Sequence, residues 1–309
     1  MKVLVLGAGG IGGYFGARLA EKGVDVTFLV RERRYRQLAE RGLRVLSIHG
    51  DVQLEQPQLI RAGEEAGPFD VVLLSNKAYT LAESIDDLAP FAGEETVVIP
   101  LLNGIAHMEQ LWERFGKGRV LGGLCFIETT LNADGDVVQT SSMHEAVFGE
   151  WEGGLSERVE RIAQAFSGIN GTMRASANIQ RDAWQKYLLI STMSGITTLM
   201  NAAVGPIRES VYGLELTRQL AEECAAVIRA LGAPIREDIV DKQLEAFQNQ
   251  GAAMKSSMLR DMEKGLPVEG DHIQGYLLEH AEKLGLSTPL LKVVYNNLKV
   301  YEQKRSAGK

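Results

Sequence analysis

Through the first half of the chain, short apolar runs alternate with segments of helical periodicity. After about Ile179 only helical periodicity remains. Val3–Leu6 is followed by glycines, a helix-like stretch Ile11–Lys22 that stops at Gly23, and a second run Val24–Val30. Val71–Leu74 and Thr96–Ile99 are further runs of strand length. Strands alternating with helices predict βαβ units and a parallel sheet covered on both faces. Val120–Thr130 and Val137–Thr140, separated by Asp134-Gly135, predict a hairpin that extends this sheet. Residues 181–200, 210–231, 238–262 and 272–284 read as helices, punctuated by Gly205-Pro206, Gly232-Ala-Pro234 and Gly265-Leu-Pro267. The expectation is an α/β domain over 1–178 and an all-helical domain over 179–309, with a frayed tail at Glu302–Lys309.

Composition narrows the class without naming a chemistry. The 309 residues are 45% hydrophobic and 24% charged, with a net charge of −7 and both signs interspersed. That balance argues against a nucleic-acid binder, which would show a basic face. No apolar stretch is long enough to span a bilayer. The first apolar run is too short for a secretion signal. Two cysteines, Cys125 and Cys224, exclude a disulfide framework, so a cytoplasmic protein is expected. The five histidines lack metal-ligand spacing, and no metal is expected. Asn132–Asp136 has the wrong spacing for a calcium loop and reads as a turn.

Candidate chemistry begins at Gly7-Ala8-Gly9-Gly10-Ile11-Gly12, a G-x-G-x-x-G turn placed directly after a strand and opening a helix. Gly7 permits the tight turn, Gly9 lets the backbone approach a pyrophosphate, and Gly12 allows close helix–strand packing. The helix N-terminus favours the negative charge. Where an NAD-binding unit carries a carboxylate after its second strand, this chain has Arg31, with Arg33, Arg34 and Arg36 following. A guanidinium suits a 2′-phosphate, so NADPH is the expected cofactor, with Arg31 the best placed of the four. Lys77 and Asn103 follow the strands Val71–Leu74 and Thr96–Ile99, at carboxyl ends where ligands bind in such sheets. Lys186 lies in a mostly apolar helix, where it either snorkels or faces a ligand as a proton donor. Ser256-Ser257 and Glu269 are further polar candidates.

Taken in order, the Gly7–Gly12 turn, Asn76-Lys77-Ala78, Asn103-Gly104, Trp184-Gln-Lys186, Lys255–Asp261 and Pro267-Val-Glu269 resemble the ketopantoate reductase (2-dehydropantoate 2-reductase) family. The resemblance runs over essentially the whole chain. It implies an N-terminal Rossmann-type domain, a helical C-terminal domain, and NADPH-dependent reduction of ketopantoate to pantoate on the route to pantothenate and coenzyme A. By the same resemblance Lys186 is the proton donor and Glu269 assists the reaction. Ser257 holds the carboxylate of a small anionic 2-oxo acid. Asn103 lies beside nicotinamide and substrate, and Lys77 lies on the cofactor side. Family relatives carry Asn four and eight residues after the lysine, where this chain has Ile190 and Ser194. That departure keeps open a different branched 2-oxo acid as substrate. A non-catalytic NADPH-sensing protein is the alternative from another class. The sequence does not fix the oligomeric state; of the options, a homodimer through the helical part is favoured.

Overall fold

The computed structural model describes residues 1–307. It divides into two compact units, 1–102 with 107–179, and 103–106 with 180–309.

The first unit is built on strands β1 (Lys2–Leu6), β2 (Asp25–Leu29), β3 (Leu43–Ser47), β4 (Val52–Leu54), β5 (Gln58–Ile60), β6 (Val71–Leu74), β7 (Val97–Pro100), β8 (Gly122–Leu131), β9 (Val137–Gly149) and β10 (Thr172–Ala175). Its helices are α1 (Gly10–Glu21), α2 (Glu32–Arg41), α3 (Leu81–Leu88), α4 (His107–Phe115) and α5 (Glu157–Phe166). A five-stranded parallel sheet runs in the order β5-β2-β1-β6-β7. β6 and β7 are buried at every position and β1 at all but its first. That two-sided burial is why they read as continuous Val, Leu and Ile runs rather than alternations. Two apolar clusters result, one holding Val3, Val5 and Phe28 and the other Leu4, Leu6 and Leu74.

The predicted hairpin forms, but it does not extend the parallel sheet. β8 and β9 are antiparallel partners, and β9 centres a second sheet with β3 and β10 as parallel neighbours and β4 beyond β3. The turn between them is closed by its own backbone, Gly135 N donating to Asn132 O at 3.0 Å. α5 opens with Ser156, whose side chain accepts from Val159 N, and Glu157 and Glu160 occupy its first turn. Cap and acidic residues both favour a helix start there.

The second unit is helical throughout: α6 (Ile179–Met200), α7 (Val204–Glu209), α8 (Gly213–Ala230), α9 (Ile239–Asn249), α10 (Ser257–Glu263), a π-helical turn Asp271–Gly275, α11 (Tyr276–Lys283) and α12 (Pro289–Ala307). The expected helix 238–262 is broken, because α7 takes its first hydrogen bonds from the intervening loop. Val204 N donates to Met254 O and Gly205 N to Ala252 O, both at 2.9 Å. Nor does the tail fray through its described part. α12 continues to Ala307, with the Glu302 carboxylate accepting from Val268 N at 2.8 Å; residues 308–309 lie outside the described residues. α6 is buried on most of its surface. Its hydroxyls turn back on its own carbonyls: Ser194 to Ile190 O, Thr197 to Met193 O and Thr198 to Ser194 O. These three hydroxyls thereby sit inside a core with their donors met, whereas those of Ser191 and Thr192 on the same helix are buried without a partner.

Phe148 on β9 is fully buried, and its ring meets that of Phe166 on α5 edge to face at 6.1 Å between centroids. Phe148→Ala is expected to destabilise this unit by about 3–5 kcal/mol, measured as a shift in its denaturant midpoint.

Candidate functional site

In the parallel sheet, Leu6 pairs in register with Leu29 and Leu74, and Leu74 with Pro100. The chain therefore leaves these strands at one common edge, and Gly7, Val30 and Ser75 follow directly. Gly7 has φ +91, a backbone state that L side chains rarely adopt. Its N–H donates to Leu29 O at 3.0 Å, and Ser75 Oγ donates to Leu6 O at 3.0 Å. A Cβ on Gly12 would collide with the Gly7 carbonyl oxygen and Ser75 Oγ, so only glycine lets α1 start this close to β1. Around Gly9 the space is open, with no atom within 4 Å of a would-be Cβ. As N-cap of α1, Gly9 places no side chain over the first helical N–H groups. A bare helix N-terminus behind an open glycine fits the pyrophosphate of a dinucleotide. Ser75 escaped sequence reasoning, although its place directly after a strand paired with β1 was the available signal.

The arginines after β2 divide into different jobs. Arg34 braces the turn: Nε donates to Ala8 O at 3.0 Å, and Nη1 to Gly135 O and Gln37 Oε1 at 2.7 Å. Arg36 pairs with Glu32, and Arg33 is exposed. Arg31 is the N-cap of α2 and mostly exposed, ion-paired with Glu83 at 2.5 Å. Lys77 caps a short 3-10 turn, Ala78–Thr80, and its carbonyl accepts from Thr80 N at 3.0 Å.

The helical unit gathers most of the other candidates. Asn103–Ala106 belongs to it, and Lys186 Nζ donates to Asn103 Oδ1 at 3.2 Å. Lys186 is only 9% exposed. A buried ammonium is tolerated only with polar partners, so this is no snorkelling lysine. Glu269 is 7% exposed, and its carbonyl accepts from both His272 N and Ile273 N at 3.1 Å. The π-helical turn that follows is pinned to α6 twice. Tyr187 Oη donates to Ile273 O at 2.6 Å. Gln274 Nε2 donates to Ser194 Oγ at 2.7 Å and to Ser191 O at 3.1 Å. These two residues thus fix the backbone beside Glu269 against the helix that carries Lys186. Tyr187 had a signal, a tyrosine next to the candidate lysine; Gln274 had none.

Of the two adjacent serines, Ser256 is the structural one. It is the buried N-cap of α10, accepts from Leu259 N at 3.1 Å, and is 2.7 Å from Thr197 Oγ1. Ser257 is exposed. Ile190 is half-buried one turn beyond Lys186, and Ser194 is buried two turns beyond it.

The ketopantoate reductase PanE/ApbA model matches residues 3–153, and its C-terminal companion matches residues 178–302. The chain belongs to this family. It is therefore an oxidoreductase of the kind that acts on CH–OH groups. It is 47% identical over 305 residues to the uncharacterized oxidoreductase YkpB of Bacillus subtilis, covering 99% of this chain and all of that protein. The 2-dehydropantoate 2-reductase of Pyrococcus abyssi is 27% identical, with 97% of each chain covered. The crystal structure of 2-dehydropantoate 2-reductase from Geobacter metallireducens superposes with a TM-score of 0.88 at 30% identity, covering 97% of this chain and 99% of that one.

Tyr187→Phe strands the buried Ile273 carbonyl. The expected cost is about 1–3 kcal/mol of stability in the helical unit, read from denaturant unfolding.

Proposed function

We propose that this protein is an NADPH-dependent reductase of branched 2-oxo acids, with 2-dehydropantoate as the substrate the family likeness puts forward. The observation that carries this reading is the buried Lys186 ammonium on α6, hydrogen-bonded to Asn103 and standing on the helix that anchors the backbone beside Glu269. Gly7, Ala8, Gly9, Gly10, Ile11 and Gly12 would hold the pyrophosphate, Arg31 the 2′-phosphate, and Lys77 and Asn103 the nicotinamide side. When bound, NADPH supplies the hydride that adds to C2 of the oxo acid.

The chain's own residues supply the rest. As C2 is reduced, negative charge grows on the carbonyl oxygen, and the Lys186 ammonium stabilises it where little water competes. Lys186 then gives that oxygen a proton from Nζ, completing the hydroxyl, and is reprotonated from solvent. Asn103 fixes the direction of Nζ through its side-chain oxygen. Ser257 offers an exposed hydroxyl to the substrate carboxylate, and Glu269 orients the substrate.

Steady-state assays with 2-dehydropantoate and a panel of 2-oxo acids test the reading; no NADPH oxidation with any of them overturns it. Lys186→Ala is expected to lower kcat by roughly 10²–10⁴-fold while leaving NADPH affinity nearly intact. Arg31→Ala should cut the preference for NADPH over NADH by about tenfold to a hundredfold, the worth of one charge-assisted phosphate contact. An unchanged ratio of the two cofactors' kcat/KM values removes Arg31 from that role.

A further inference from the structure

The stretch of α6 beyond Lys186 has an unusual polarity. Residues three, four, seven and eight positions on share a helical face with the lysine, and here they are Leu189, Ile190, Met193 and Ser194. Leu189 and Met193 line a small, partly open pocket of about 10 Å³ together with Thr192 of α6 and residues of α8 and α9, Gln243 among them. Ile190 is left as the half-buried residue one turn from Lys186, and it carries no hydrogen-bonding group.

Ser194 does not make good the deficit. Its hydroxyl has one proton, and that proton goes to Ile190 O at 2.6 Å. One of its lone pairs is taken by Gln274 Nε2 at 2.7 Å, and Gln274 is fully buried. The same amide nitrogen also donates to Ser191 O at 3.1 Å, which fixes the orientation of the amide. Rotating the Ser194 hydroxyl toward a ligand would give up its bond to Ile190 O and loosen a buried amide. Ser191 and Thr192, five and six positions on, lie off this face of the helix, so the face that carries the ammonium offers a ligand hydrocarbon and no free proton.

Resting on the reductase reading above, we infer that the natural substrate is an aliphatic 2-oxo acid whose carbon chain ends in hydrocarbon, with no hydroxyl on the group that meets Ile190. With the carbonyl oxygen at Lys186 Nζ, the substituent on C3 lies about one helical turn along, a spacing of about 5–6 Å between side chains. A hydroxyl there loses its water and finds no partner, whereas a methyl group gains apolar contact with Ile190.

The decisive comparison uses two acids that differ only in that hydroxyl, 3,3-dimethyl-2-oxobutanoate and its 4-hydroxy derivative, 2-dehydropantoate. With the wild-type protein and NADPH, kcat/KM is expected to favour the unhydroxylated acid by about tenfold or more, within the range by which an apolar pocket rejects an added hydroxyl. Ile190→Asn places an amide at that spot and should move the ratio at least tenfold toward 2-dehydropantoate, with NADPH affinity measured alongside to show that the variant is folded. A wild-type preference below tenfold, or one for 2-dehydropantoate, overturns this inference and leaves the reductase reading standing. Turnover of neither acid, nor of any other 2-oxo acid, overturns both.

Discussion

The helical unit is organised around the demand of one buried positive charge. An ammonium that is nine-tenths out of water is stable only where polar groups stand ready to meet it, and Asn103 is one that does so. That need explains why a short piece of chain from just beyond β7, Asn103–Ala106, groups with the helices. Hydroxyls at 194, 197 and 198 are folded back on the helix's own carbonyls, which leaves the lysine as the charged group that α6 carries in its buried middle. Tyr187 and Gln274 then fix the neighbouring π-helical turn, so the lysine and the backbone of Glu269 belong to one braced assembly.

At the glycine turn the governing force is contact distance rather than charge. Because Gly12 stands against the Gly7 carbonyl and Ser75, the first turn of α1 is held at the strand edge by sterics alone. Arg34 adds a second clamp from α2, holding the Ala8 carbonyl and the Gly135 turn together. Arg34 gives Nε and Nη1 to this clamp and keeps Nη2 buried without a partner, whereas the contact of Arg31 with Glu83 is made in water and is easily exchanged.

Much of this was legible in the residues, and the failures share a cause. β1, β6 and β7 are continuous apolar runs because both faces are buried, and the turn after β1 carries its glycines openly. β9 was read too short because its middle, Ser141-Ser-Met-His144, is polar and partly exposed, so the second sheet could not be separated from the first. The break between α9 and α10 is set by bonds to α7, a tertiary fact without a local pattern. Lys186 and Asn103 each stood out singly, but their hydrogen bond crosses much of the chain. Gln274 was invisible, since one glutamine looks like another until its amide is found inside a core.

The placement of β9 bears on how the chain assembles as it is made. All five strands of the parallel sheet have been synthesised by Pro100, and they can pair as soon as they emerge. β3 must wait, because Val45 pairs with Val137. During that interval the β3–β4 hairpin presents an open edge whose apolar residues, Leu43, Val45 and Val52, will later be buried. Such an edge is a template for the wrong strand. Arg44, in the middle of β3, puts an exposed charge on the waiting strand, and β9 seals that edge by joining β3 and β8, with β10 added to it last.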